Sequence, residues 1–265
     1  MVLPVGDVNP TSRRAVVTGA LVLANLAVYL GFQAPLEGCR EAGFVYRFAA
    51  IPREVLGFSP LDPGELEAVI GSCAGAVGSK SVALSLLTAM FLHGNLAHLL
   101  GNLLFLWVFG NNVEDRLGRL RFVLFYLAGG VAATMAFALF NPDTTTPLVG
   151  ASGAIAAILG AYMLLFPRAR VLTYAPFPVY LLAFIVPGAR IRAWFLIFAI
   201  VTVPAWLMLG GWFALQAVAA RTSLSSGVAY EAHVAGFLAG IVLLLFLDRR
   251  RTAHGQVPFH PTRHR

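Results

Sequence analysis

The sequence predicts an all-α membrane protein, a bundle of six transmembrane helices with a long outside loop between helices 1 and 2. Three observations predict it. The 265 residues are 58% hydrophobic and 12% charged, with mean hydropathy +0.78, whereas soluble domains carry about 25% charged residues. The twelve acidic residues leave charge-free runs of about the ~20 residues that a spanning helix needs. The basic residues fall unevenly on the segments that join those runs.

The first span, 15–32, follows Ser12-Arg13-Arg14. That start imitates a secretory signal, but no A-x-A cleavage site follows, and the stretch is read as a retained span. Residues 33–84 hold Pro35, Pro52, Pro60, Pro63 and many glycines between short apolar stretches. Loops of that length are usually functional, and this one is expected to pack on the outer face as a partly helical insertion. The remaining spans are 85–110, 122–140, 150–166, 193–219 and 230–247. The apolar stretch 171–186 carries Pro176 and Pro178, with Pro187 beside it. Proline disrupts a helix interior, so the stretch reads as a loop or re-entrant piece, with a seventh helix as the competing reading.

Basic residues favour the cytoplasmic side. With the N-terminus inside, fourteen of the nineteen lie on inside segments, and four of the five outside ones sit among six acids in 33–84. Both termini are therefore expected in the cytoplasm. Residues 1–14 form a short leading segment, 15–250 the membrane domain, and 251–265 a disordered basic tail. Arginine-rich, lysine-poor usage without a transit signal suggests a multi-pass protein of a bacterial plasma (inner) membrane. The net charge of +7 suits anionic lipid of the bilayer. No basic face interleaved with aromatics is present, so no nucleic-acid partner is expected. Cys39 and Cys73 both fall in the outside loop, where thiols oxidise; either they pair, joining the ends of the loop, or they are two separate thiols. His254, His260 and His264 in the tail read as solvated rather than metal-binding.

Polar groups inside apolar spans are expensive and point to function or to helix packing. Ser152 lies fourteen residues before Phe166, and His233 fourteen before Leu247. At about 1.5 Å per residue each is ~21 Å from the inner boundary, and ~9 Å below the outer edge of a ~30 Å core. The hydroxyl and the imidazole therefore share one level. Ser152, Ala156 and Gly160 on one helix, and Ala232, Gly236 and Gly240 on the other, form small-residue faces at four-residue spacing that let backbones approach. A nucleophile and a base can then meet at the ~2.6–3.2 Å that proton transfer needs. The bland reading is ordinary packing, with the serine bonded to its own helix. His98 and Asn102 share a helix face at i, i+4 and can donate to an oxyanion, as can the Ser152 amide at a helix start. His93 is expected to point elsewhere. Glu231 and Asp143 lie off the site, so the arrangement is a Ser–His dyad without an acid. No H-E-x-x-H zinc motif and no buried aspartate pair occurs, so neither metal nor cofactor is expected.

Several of these residues resemble the rhomboid family of intramembrane serine proteases, with prokaryotic-type features. They are Gly150-Ala151-Ser152-Gly153; Ala232-His233 with Gly236 and Gly240; and His93, His98 and Asn102 in the order H-x4-H-x3-N. Glu114 and Gly118 match a loop motif of that family, and Val203-Pro-Ala-Trp206 through Leu215-Gln216 is similar to its fifth span. The resemblance implies a six-helix rhomboid bundle, with Ser152 as nucleophile and His233 as general base. It places His98, Asn102 and the Ser152 amide in the oxyanion hole. Transmembrane segments of other proteins would be the substrates, entering past the fifth helix and the loop near 221–230. Two positions depart from the pattern: Ala156 stands where many members carry an aromatic residue, and no Trp-Arg pair occurs in the first loop. A rhomboid-like protein that only binds transmembrane helices is the rival reading, but such proteins lack the serine or the histidine. A channel or transporter would want an ionisable relay or inverted repeats, and neither is present. The natural substrate, its cleavage site and the oligomeric state are not legible.

Overall fold

The apolar runs become helices because lipid offers the backbone no hydrogen-bond partner, and a helix satisfies its own. In the computed structural model, which describes residues 3–174, 200–222 and 227–248, ten α-helices and three strands are present among those residues. Four helical segments are long and apolar enough to cross a membrane. These are α1 (Val16–Val28, continued by a wider turn Tyr29–Gln33), α6 (Leu96–Leu117), α7 (Arg119–Phe140) and α10 (Tyr230–Leu247). Two further bundle helices are α8 (Ser152–Leu165) and α9 (Ala205–Thr222).

Helix α8 sits at the centre. Every residue from Ala154 to Tyr162 is buried, the pattern of a helix packed on all sides. Its fourteen residues reach only about 21 Å, less than a bilayer core. Its first residue, Ser152, lines a cavity between the bundle helices.

Glycines fix how closely α10 approaches α8. A β-carbon on Gly236 would overlap the Gly153 carbonyl, one on Gly240 the Ala157 carbonyl, and one on Gly160 the Phe237 carbonyl. Gly129 of α7 likewise faces Ala157, and Gly153 faces Ala133 of α7. With no water to drive apolar faces together, membrane helices gain their contact energy from such close approach.

The insertion between α1 and α6 folds into short helices α2 (Cys39–Phe48), α3 (Pro52–Gly57), α4 (Pro63–Ile70) and α5 (Val82–Thr88). Asp62 and Glu65 make a capping box that starts α4. A disulfide joins Cys39 to Cys73, tying α2 to the turn Gly71–Ala76. Lys80 is buried beside Glu54 and pairs with it; its ammonium also donates to the carbonyls of Tyr46 at 2.7 Å and Ala49 at 2.9 Å. Burial pushes Lys80 below the ordinary lysine range, against the pull of Glu54.

At the opposite end, a carboxylate caps α1. Glu114 of α6 accepts from the amides of Val17 (2.9 Å) and Thr18 (2.7 Å) and from the Thr18 hydroxyl, satisfying donors that a helix start leaves open. Arg116 donates to Asp248 at the end of α10.

Three expectations are corrected. The second helix is 96–117 rather than 85–110, because Asn95 caps it by accepting from the His98 amide at 2.8 Å and residues 82–88 form the separate α5. The fifth helix starts at Ala205, after Pro204, rather than at 193; residues 193–199 lie outside the described residues. The third is an addition to the expected helical bundle, a small sheet that the hydropathy pattern does not show. β1 (Leu3–Asp7), β2 (Arg170–Tyr174) and β3 (Ile200–Pro204) form an antiparallel sheet in the order β1-β2-β3. It is anchored by Asp7, which accepts from Asn112 of α6 and the Tyr162 hydroxyl of α8; burial raises the Asp7 carboxyl above its usual range. Of the stretch 171–186, residues up to 174 belong to β2, and the remainder and the tail lie outside the described residues.

Candidate active site

Ser152, His98, Asn102 and His233 all line one cavity of about 500 Å³, set between α6, α8, α9 and α10. Three elements far apart in sequence, α6, α8 and α10, supply these groups, and α9 lines the cavity beside them.

The serine is the first residue of α8 and is half-buried. Its backbone N–H is among the open donors of a helix start. The segment leading to it is held on both sides. Leu148 pairs with Ala50 of the insertion through two backbone hydrogen bonds, and the Gly150 amide donates to Ala89 at 2.9 Å. Gly150 has φ +121°, a conformation that side chains disfavour. A β-carbon there would also stand 2.8 Å from His98 Cε1 and 2.9 Å from His98 Nε2. Glycine is required at 150 for both reasons.

His98 and Asn102 lie one turn apart on α6 and face this same point. Asn102 is 7% exposed, and its Nδ2 is a buried donor without a partner among the described residues. Leaving such a group unpaired costs about 1–3 kcal/mol, so the cavity stands ready for an acceptor.

His233 is 9% exposed. Its Nδ1 lies 3.2 Å from Oε1 of Gln216 on α9, and its ring lies 6.0 Å from that of Trp212, with 33° between the planes. Among the described residues no hydrogen bond joins the Ser152 hydroxyl to the imidazole. Such bonds are often long in an unliganded site and tighten around a substrate. Ala156 is fully buried and meets Gly236, so the ring is flanked from α9 rather than from the serine helix.

His93 does not line the cavity. It precedes α6 in an extended stretch, so helical counting does not apply, and its ring lies 5.2 Å from that of His98, edge to face. Gln33 clamps its backbone, accepting from its amide and donating to its carbonyl. Composition and spacing do not mark Trp212 or Gln216 as parts of the site. A lone amide in an apolar span was the available signal for Gln216. Among the described residues no cluster of three metal-ligating side chains occurs.

Residues 80–250 match the family model described as the Rhomboid domain. The chain is 46% identical over 78 residues to rhomboid protease GluP of Bacillus subtilis (strain 168), covering 29% of this chain and 15% of that protein. It is 34% identical over 94 residues to the mitochondrial presenilin-associated rhomboid-like protein A of Danio rerio, covering 35% and 24%. With RHOMBOID-like protein 1 of Arabidopsis thaliana it shares 31% over 153 residues, covering 54% and 38%. The chain thus spans less than two-fifths of the length of each of these relatives.

Proposed function

The chain belongs to the rhomboid family, and from that premise we propose that it is an intramembrane serine endopeptidase that cleaves peptide bonds in or near transmembrane segments of other membrane proteins. One observation carries the reading: a hydroxyl, an imidazole and an unpartnered amide donor converge on a single cavity recessed within a helical bundle.

In this reading the Ser152 hydroxyl attacks the scissile carbonyl while His233 Nε2 takes its proton. The Ser152 amide, His98 and Asn102 donate to the oxyanion, each donor worth about 10²–10³ in rate. His233 then protonates the leaving amine, and water hydrolyses the acyl-enzyme by the same route. The recess at the head of α8 supports water access from the insertion side. Both termini lie in the cytoplasm and the insertion outside, with residues 15–250 as the protease domain in a plasma membrane. The site needs no cofactor or metal.

Purified protein is expected to label with a fluorophosphonate and to cleave single-span reporters. Ser152→Ala and His233→Ala abolish both, and cleavage falls as the pH drops through the imidazole range, because the protonated ring cannot accept. Undiminished labelling of Ser152→Ala refutes the assignment.

A further inference from the structure

An imidazole that serves as a base must present a bare nitrogen to the nucleophile, and its other nitrogen decides which one is bare. The two ring nitrogens of His233 meet different surroundings. Nδ1 faces Oε1 of Gln216 at 3.2 Å, and a carbonyl oxygen there accepts a proton held on Nδ1. The opposite nitrogen is then the free acceptor. The Trp212 ring, one turn before Gln216 on α9, lies against the imidazole at 6.0 Å, and the Tyr230 ring meets it edge-on at 6.4 Å. The serine helix offers only Ala156 at the corresponding level, packed against Gly236.

We propose that Gln216 is a positioning residue for His233, holding the imidazole as its Nδ1–H tautomer with Nε2 free, so that α9 completes the catalytic group from outside the serine and histidine helices. This rests on the serine-protease reading of the site. It makes α9 more than a wall of the cavity. Only Ala205 and Leu209 of its eighteen residues are buried, yet it carries the one hydrogen bond to the imidazole found among the described residues. Any sideways displacement of α9 leaves Nδ1 without its acceptor, so admission through that side and readiness of the base are coupled.

The test uses the full chain in liposomes, with fluorophosphonate labelling, reporter cleavage and ¹⁵N NMR of the histidine rings. Gln216→Leu keeps a side chain of similar bulk, one atom shorter, and removes the acceptor. It is expected to lower kcat and the labelling rate about tenfold, the worth of one hydrogen bond, with KM within about twofold. Its His233 resonances are expected to move from the Nδ1–H pattern to a mixture of tautomers. Gln216→Glu restores an acceptor and adds charge next to the ring, so it regains kcat with the acid limb of the pH profile moved to higher pH. His98 is the other titratable group lining the cavity and Tyr230 the other at the ring, and neither is altered in these variants. Wild-type labelling with Gln216→Leu equally active and its tautomer unchanged overturns the positioning role alone. Labelling that persists in Ser152→Ala overturns the serine-protease reading instead, and the tautomer measurement still decides the role of Gln216.

Discussion

Replacing Lys80 with methionine strands Glu54 in the insertion. The two side chains are 2% and 3% exposed, and the ammonium has three acceptors: the Glu54 carboxylate and the Tyr46 and Ala49 carbonyls. Removing one partner of a buried pair costs about 3–5 kcal/mol, because the remaining charge has no compensation. At about 2–4 °C per kcal/mol for a domain of this size, the thermal midpoint of detergent-purified protein is expected to fall by roughly 10 °C. The double variant Lys80→Met/Glu54→Leu removes both charges and is expected to regain more than half of that loss. The recovery expected of the double variant has the sign that burial of the ammonium sets. It pushes Lys80 below the 10.5 of an ordinary lysine, so the folded chain binds that proton less tightly than the unfolded chain. The charged ammonium then subtracts from stability at neutral pH, and that cost disappears as the pH rises towards 10.5. Scanning calorimetry or intrinsic fluorescence of the four proteins in the cycle measures the coupling. A midpoint for Lys80→Met within about 2 °C of wild type, or a double variant that falls by the sum of the singles, refutes the reasoning.

Cys39→Ser opens a loop closed across 34 residues and is expected to lose up to about 4 kcal/mol by the chain-entropy estimate; limited proteolysis of 33–84 with and without reductant checks it. Gly240→Leu forces α10 away from the Ala157 carbonyl, so reporter cleavage is expected to fall more than about tenfold even where folded protein is recovered. A circular dichroism spectrum like that of wild type with full activity would count against the close-packing argument. Glu114→Ala removes the acceptor for the Val17 and Thr18 amides, at about 1–2 kcal/mol, and hydrogen exchange is expected to speed up at the start of α1 alone.

The spans were legible because each must bury its backbone in lipid, so composition and length alone mark them. Ser152 and His233 stood out for a related reason: polar groups in apolar runs are conspicuous, and both line one cavity. The helix ends were less so. Asn95 moved the start of α6, since a cap depends on one side chain reaching one amide rather than on hydropathy. The strand Leu3–Asp7 was illegible, because its partner at 170–174 is distant in sequence and pairing has no local mark.

Sequence by itself determined that this chain lives in a membrane and that α8 and α10 present small faces. Both follow from periodic, one-dimensional properties: hydropathy, side-chain size and rise per residue. Only tertiary structure decided that Cys39 meets Cys73, that Glu54 neutralises Lys80, and that α9 brings Gln216 to the imidazole. Those are meetings between distant segments, set by how the helices rotate and tilt when they pack, and rotation and tilt are properties of the assembled bundle rather than of any one run of residues.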